Sequence, residues 1–294
     1  MKKLLFVFNP FSGKALIKNH LFEIIDIMVK AGYDVTIYPT QRVNDAREKI
    51  EKEAAGYDLI VCSGGDGTLD ETVGGLMSCG KRIPLGYIPA GSTNDFATSL
   101  GIPKDMVQAA RVAVNGKSFS CDVGWFNGNN FIYVAAFGLF TDVSYKTSQE
   151  WKNVLGHAAY LLQGIKSLHE IPAFRMQVEC DHCCFQDEFI YGMITNSTSV
   201  GGFKGMTGPD VQLDDGVFEV TLIKKPKNPM ELNEIVASLV NLVDDTDMIY
   251  SFKVGRVKFT SKKEISWTLD GEYGGDHIEV EICNMQGAVD IITV

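Results

Sequence analysis

Long apolar runs are missing from this 294-residue chain, and nothing in it approaches the ~20 consecutive apolar residues of a membrane-spanning helix. The opening MKKLLFVFNP carries two lysines and then only five apolar residues. That is short of the roughly 7–15 of a secretory core, so the segment reads as a first strand. Positive charge is also scarce: 27 Lys and Arg stand against 37 Asp and Glu, a formal net charge of −10. A nucleic-acid binder, which needs a dense basic surface, is thereby excluded, and any bilayer contact must be local and largely apolar. The seven cysteines (62, 79, 121, 180, 183, 184, 283) are an odd, scattered set rather than a disulfide framework. They point to free thiols in a reducing, cytosolic setting. No internal repeat or low-complexity tract is present, and the absence of GxxxxGK[ST] excludes a P-loop hydrolase even though Lys14 would pass for its lysine.

What is present is ordinary globular material, 45% apolar and 22% charged, enough for one large domain or two average ones. Over the first 115 or so residues strand and helix patterns alternate. KLLFVF (3–8), YDLIVCSG (57–64) and RIPLGYIPAG (82–91) read as strands, the first two nearly all apolar, as where a parallel sheet is covered on both faces. ALIKNHLFEIIDIMVKAG (15–32) repeats its apolar residues at helical spacing and stops at Gly32. YDVTIYPT follows as a strand; NDAREKIEKEAA and DMVQAARVAVNGK read as further helices. This order predicts a doubly wound, Rossmann-like parallel sheet with ligands at the carboxyl ends of its strands. From about residue 118 the texture turns to short strands and turns, with NGNN (127–130) as a hairpin signal and helices expected near 151–168 and 229–243. The fold class is therefore α/β plus β. A nucleotide-binding domain spans 1–120, to which a strand at about 285–294 would return, and a mostly antiparallel, β-sandwich-like domain spans 121–284.

GGDGT (64–68) ends a strand and opens the helix LDETVGGLM. Glycines let backbone N–H groups approach anionic oxygens, and a helix N-terminus adds partial positive charge. Asp66 would repel a phosphate directly, so its sensible task is holding a magnesium ion. NPFSGK (9–14) and PAGSTNDFA (89–97) follow two other strands and fall on the same sheet edge, as does Thr40. Asn9, Ser12, Gly13, Ser92, Thr93 and Asn94 supply amides, hydroxyls and close backbone there. Each loop alone would read as a plain strand-to-helix turn; three together point to a nucleotide.

In this order and spacing, NPFSGK, GGDGTLDETVGGL and IPAGSTNDFA resemble the catalytic domain of diacylglycerol kinases and related bacterial lipid kinases, with sphingosine and ceramide kinases in the same superfamily. NAD kinases and phosphofructokinases share only the GGDG element. The likeness continues at SCDVGWFNG, GPDVQLDDGVFEV and WTLDGEYG, nearly the whole chain. The resemblance implies an ATP- and magnesium-dependent lipid kinase, with diacylglycerol to phosphatidic acid as the default reaction, acting peripherally at a membrane and commonly paired as a homodimer. It implies phosphate contacts at Asn9, Pro10, Phe11, Ser12, Gly13, Thr40, Thr93 and Gly64, Gly65, Asp66, Gly67, Thr68, Leu69 and Asp70. It also implies a magnesium-linked network at Asp66, Asp95 and Asp122, and a second, structural magnesium held by the Asp215 carboxylate and the Gln212 and Val217 carbonyls. The LDGE element supplies the acid–base pair. A carboxylate must accept the hydroxyl proton; Glu272 is favoured, with Asp270 and Asp66 as further candidates. On a straight strand Asp270 and Glu272 share one face, whereas a bend at Gly271 would separate them.

CDHCC (180–184) invites a zinc reading, but no partner CxxC or HxxxH exists and Asp181–His182 suits a hairpin tip. Kinases of soluble substrates such as NAD, and a sensor without turnover, remain as rival readings, which GSTNDFA and the full acidic set oppose. WKNVLGHAAYLLQGIKSL (151–168) lays Trp151, Leu155, Ala158, Leu162 and Ile165 along one stripe, as core or as the border, with 137–145, of a slot for acyl chains. On the slot reading, Leu155→Asp lowers turnover of long-chain lipid and leaves ATP binding intact; equal loss of both, measured side by side, would mean only a broken fold.

Overall fold

Leu4 to Phe8 of the first strand are buried throughout, as the unbroken apolar run requires. In the computed structural model the described residues are 1–139, 141, 171–200, 203–204, 211–241 and 246–294. The stripe at 151–168, Leu155 and most of the proposed slot border lie outside them. The chain divides into two units, residues 1–123 with 286–294, and residues 124–285.

The first unit runs β1 (Lys2–Phe8), α1 (Ile17–Lys30), β2 (Tyr33–Pro39), α2 (Asp45–Glu53), β3 (Leu59–Gly64), α3 (Asp66–Ser78), β4 (Leu85–Pro89), α4 (Asp95–Ser99) and α5 (Met106–Asn115). Its sheet is parallel in the order β4–β3–β1–β2, and the late residues Ile291 and Ile292 add, also parallel, beside β4. Helix α1 packs with α5, and α2 with α3. Every residue of β3 is buried, so both faces of the sheet are covered. Helix α1 buries Ile17, Ile24, Ile27 and Met28 on one face, and Gly32, at φ +89°, takes the left-handed position beyond its end. Helix α3 starts earlier than its apolar pattern suggests, so Asp66 is its first residue and not part of a loose bend.

The returning segment is tied down by polar side chains. Gly287 N–H donates to buried Asp122 Oδ1 at 2.7 Å. Arg82 donates to both oxygens of Asp290, at 2.5 and 2.6 Å, and Ser120 Oγ donates to one of them at 2.8 Å.

The second unit contains the end of β5 (Lys117–Phe126), β6 (Asn129–Phe131), β7 (Val134–Gly138), β8 (Phe174–Cys180), β9 (Cys183–Thr195), the small pair β10 (Ser199–Val200) and β11 (Phe203–Lys204), β12 (Phe218–Lys224), α6 (Pro229–Asn241), β13 (Ile249–Val254), β14 (Arg256–Leu269) and the first part of β15 (Glu272–Thr293). Asn127 and Gly128, both at positive φ, make the two-residue turn joining β5 to β6. Apart from β10 and β11, the described strands of this unit pair in largely antiparallel ladders. Strands β9 and β14 are 13 and 14 residues long, and each pairs with β8 along one half and β7 along the other. Trp267, fully buried, centres the core, with Phe137, Phe126 and Phe259 rings at 4.7, 5.2 and 5.4 Å. Cys180 and Cys183 form a disulfide across the β8–β9 tip, which corrects the expectation of free thiols throughout; Cys62, Cys79, Cys121, Cys184 and Cys283 are free.

Hydrogen bonds from Arg82 hold the Asp290 carboxyl below its ordinary value. A carboxyl depressed by folding stabilises above its unfolded value, about 3.9, and that contribution disappears as pH falls through the folded value. Asp290→Asn should therefore melt at a lower temperature than the parent at pH 7, and the difference should shrink below about pH 4.

Candidate active site

In the first unit, β1 lies between β2 and β3, so the crossovers leaving β1 and β3 run in opposite senses along the sheet. A crevice opens at such a point beyond the strands' carboxyl ends. The loops after β1 and β3 meet there. Asn9 N–H donates to Ser63 O at 2.9 Å, and Gly65 N–H donates to Ser12 Oγ at 3.2 Å. Asn9 Oδ1 accepts from Phe11 N–H at 2.9 Å, fixing the turn that exposes Phe11. Thr40 N–H donates to Phe8 O at 2.9 Å, which sets this buried threonine at the end of β2.

The loop after β4 closes onto the other two. Ala90 N–H donates to Gly64 O at 2.7 Å, and Asn94 bridges Gly91 through both its amide atoms at 2.9 Å. A Cβ on Gly13, itself at φ +56°, would lie 2.4 Å from Ala90 O, and one on Gly91 would lie 2.6 Å from Gly65 Cα. No side chain fits between these backbones. The result is a glycine cradle at the N-terminus of α3, where Gly65 provides no side-chain cap. Ser92, Thr93 and Asn94 stand on its rim with partly or fully exposed side chains, and Asn94 adopts the left-handed conformation that asparagine tolerates.

Of the residues carried over from the resemblance, Asn9, Pro10, Phe11, Ser12, Gly13, Gly64, Gly65, Asp66, Gly67, Thr68 and Asp70 are brought to the three loops and the start of α3. Leu69 is fully buried, so its side chain belongs to the core and only its backbone lies near the cradle. Asp66 Oδ2 accepts from Asp95 N–H at 3.4 Å, which links the first turns of α3 and α4. Asp122 holds the returning segment as described above. Among the described residues, no three His, Cys, Asp or Glu side chains gather as a metal cluster, so Asp66, Asp95 and Asp122 do not form a direct three-carboxylate site. Magnesium normally takes one or two carboxylates and completes its shell with phosphate oxygens and water. Asp66 beside a glycine cradle fits that chemistry. Sequence reasoning overlooked Tyr87, a buried tyrosine in β4 whose hydroxyl donates to Gly64 O at 3.2 Å and lies 3.4 Å from Asn94 Oδ1. Its one signal was a phenol in an otherwise apolar strand.

In the second unit, Asp270 and Gly271 form the turn between β14 and β15, at φ +51° and +86°, the combination of a tight two-residue hairpin. The bend separates the two carboxylates, so the shared face of a straight strand is not what the chain adopts. Asp270 is buried, and its carboxylate accepts the N–H groups of Ile132, Tyr133 and Val134 at 2.6, 3.0 and 2.9 Å. Its own N–H donates to Val134 O at 2.8 Å. Glu272, two residues on, is exposed. Before β12, Asp215 Oδ1 accepts from Val217 N–H at 3.2 Å while Oδ2 lies 3.5 Å from Lys253 Nζ. Burial pushes the Glu219 carboxyl up against the opposing pull of Lys253.

A family model for the diacylglycerol kinase catalytic domain matches residues 3–126. A diacylglycerol kinase of Bacillus subtilis (strain 168) is 37% identical over 280 residues, 94% of this chain and 91% of that protein. One from Staphylococcus carnosus (strain TM300) is 35% identical over 297 residues, 99% of this chain and 95% of that protein. Two solved structures from Bacillus anthracis str. Sterne cover all of this chain and 97% of their own. One aligns with a TM-score of 0.85 at 25% identity; the other, a diacylglycerol kinase, aligns at 0.78 with 24% identity. With a parallel α/β unit bearing a glycine cradle and a strand-rich second unit, the chain is α/β plus β in architecture, and these relatives make it a phosphotransferase. It belongs to the diacylglycerol kinase family and is a lipid kinase.

Asp270→Asn replaces one oxygen by an amide that cannot accept. Hydrogen bonds to a charged group contribute about 1.5–3 kcal/mol each, so urea unfolding should show a loss of that order or more. Glu272→Gln, on the exposed side of the same turn, should stay within about 0.5 kcal/mol of the parent.

Proposed function

We propose that the chain transfers the terminal phosphoryl group of ATP to the free hydroxyl of diacylglycerol, yielding phosphatidic acid. The observation that carries this reading is the meeting of three loops in a cradle only glycine can line. Such a cradle presents backbone N–H groups to anionic oxygens, and the likeness to diacylglycerol kinases extends over nearly the whole chain. The backbone of Asn9 to Gly13 and of Gly64 to Gly67, with Thr40, Ser92, Thr93 and Asn94, would bind the phosphates. Asp66 would hold the magnesium ion, supported by Asp95 and, further back, Asp122. The ion, when bound, neutralises charge on the phosphates.

Phosphoryl transfer asks the protein for alignment and charge neutralisation more than for covalent chemistry. A primary alcohol still needs a group to take its proton. Glu272 is the proposed base, since its carboxylate is exposed and borne on a rigid turn. Asp270, whose oxygens receive three backbone donors, holds that turn and is a positioning residue. A negatively charged protein reaches its lipid through transient, local membrane contact.

Radiolabelled ATP offered with a panel of lipid alcohols in mixed micelles, and products separated by thin-layer chromatography, tests the reading. Phosphatidic acid should dominate; label in another lipid alone would move the substrate, and, with NAD added to the panel, label in NADP alone would remove the lipid. Glu272→Gln should keep nucleotide binding while kcat falls by ~10²–10⁴. Asp66→Asn should fold and lose magnesium-dependent turnover, and parent-like activity in either variant would strike that residue from the mechanism.

A further inference from the structure

The turn that leads into β12 is where the resemblance implies a structural divalent ion, through Asp215, Gln212 and Val217. Its donor set does not fit one. Asp215 spends Oδ1 on the Val217 N–H at 3.2 Å, and Oδ2 faces the Lys253 ammonium at 3.5 Å. The same ammonium lies 3.2 Å from Glu219 Oε1. Strand register dictates the arrangement: Glu219 on β12 is the direct cross-strand partner of Lys253 on β13, which puts both side chains on one face. The lysine stem is long enough to reach past the strand to the turn.

Burial supplies the reason for a cation here. The Glu219 side chain is only 8% exposed, and a buried carboxylate requires a counter-charge. Two carboxylates and one ammonium leave the cluster with a single negative charge. A divalent ion on Asp215 would have to sit against that ammonium, and with the lysine side chain 41% and the aspartate side chain 23% exposed, water screens the repulsion only in part.

We propose that Lys253 is the resident cation of this turn, its ammonium standing between Asp215 and Glu219 in place of a divalent metal. The segment from Gln212 to Val217 is then held to β13 without metal, and removing the lysine converts the spot into a divalent-cation site. This inference stands apart from the kinase reading, and neither fails with the other.

The test is Mn²⁺ titration of the full chain without nucleotide, with free Mn²⁺ followed by electron spin resonance and stability by thermal melting. Parent and Asp215→Asn should take up the same Mn²⁺, because any ion near Asp66 is common to both. Lys253→Met should take up one ion more, with a dissociation constant in the roughly 0.1–1 mM range of weak oxygen sites. Its melting temperature should rise with Mn²⁺, and Asp215→Asn in that background should abolish the gain. Lys253→Arg, which keeps the charge, should behave as the parent. Mn²⁺ uptake by the parent that Asp215→Asn removes would overturn the proposal. So would a folded Lys253→Met with no added uptake. If Lys253→Met folds only with Mn²⁺ the proposal is supported, and if it never folds the parent against Asp215→Asn decides.

Discussion

Backbone against backbone, with no room for a methyl group, is the constraint on which the first unit's chemistry rests. The loops after β1, β3 and β4 approach so closely that a Cβ on Gly13 or Gly91 would collide with main-chain atoms of another loop. Glycine is costly to order, since it has the most conformational freedom to lose. Several glycines gathered on one surface are intelligible only where close approach returns something else. Here it brings three loops to the head of a 13-residue helix whose N-cap, Gly65, supplies no side-chain cap. The sheet order places that surface where the crossovers part, so topology and local composition agree about its position.

A different economy governs the β14–β15 turn. A non-glycine residue in the left-handed region costs about 1–2 kcal/mol, and Asp270 is held there at φ +51°. Three N–H donors from the Ile132–Val134 segment outweigh that cost, because bonds to a charged acceptor contribute about 1.5–3 kcal/mol each. The turn is thereby rigid, and the neighbouring Glu272 is carried on a fixed support while remaining open to solvent. One carboxylate supplies architecture and the next is left available for chemistry, a division of labour within a four-residue motif.

Much of this was legible in the chain. Unbroken apolar runs gave β1 and β3 because both faces of a parallel sheet are covered, and the spacing of Leu16, Leu21, Ile24, Ile25 and Met28 gave α1, although Leu16 is exposed and Ile17 is buried. The three loops were found from Gly, Ser, Thr and Asn placed just after predicted strands, since local composition encodes where backbone must come close. What escaped was non-local. Nothing near Asp270 reveals that residues 132–134, far earlier in the chain, converge on it. Strands β7 and β8 share the two halves of β9 and β14, a pairing that strand patterns leave open. CDHCC was read correctly as a hairpin tip, yet CxxC spacing serves thiols and disulfide alike. Lys253 looked like any lysine on a strand, because its meaning lies in the residue opposite.

The order in which a ribosome delivers this chain adds one more tension. Residues 1–123 emerge long before 286–294, but β4 acquires one of its two neighbours, and Arg82 its carboxylate, only from that late segment. Until then the growing polypeptide carries an open parallel edge along Leu85–Pro89, every residue of which is buried in the finished protein. An unpaired apolar edge is a template for stray pairing. Vectorial, domain-by-domain maturation is thus denied to the half of the molecule that is made first, and its completion waits on a strand about 200 residues further along the chain.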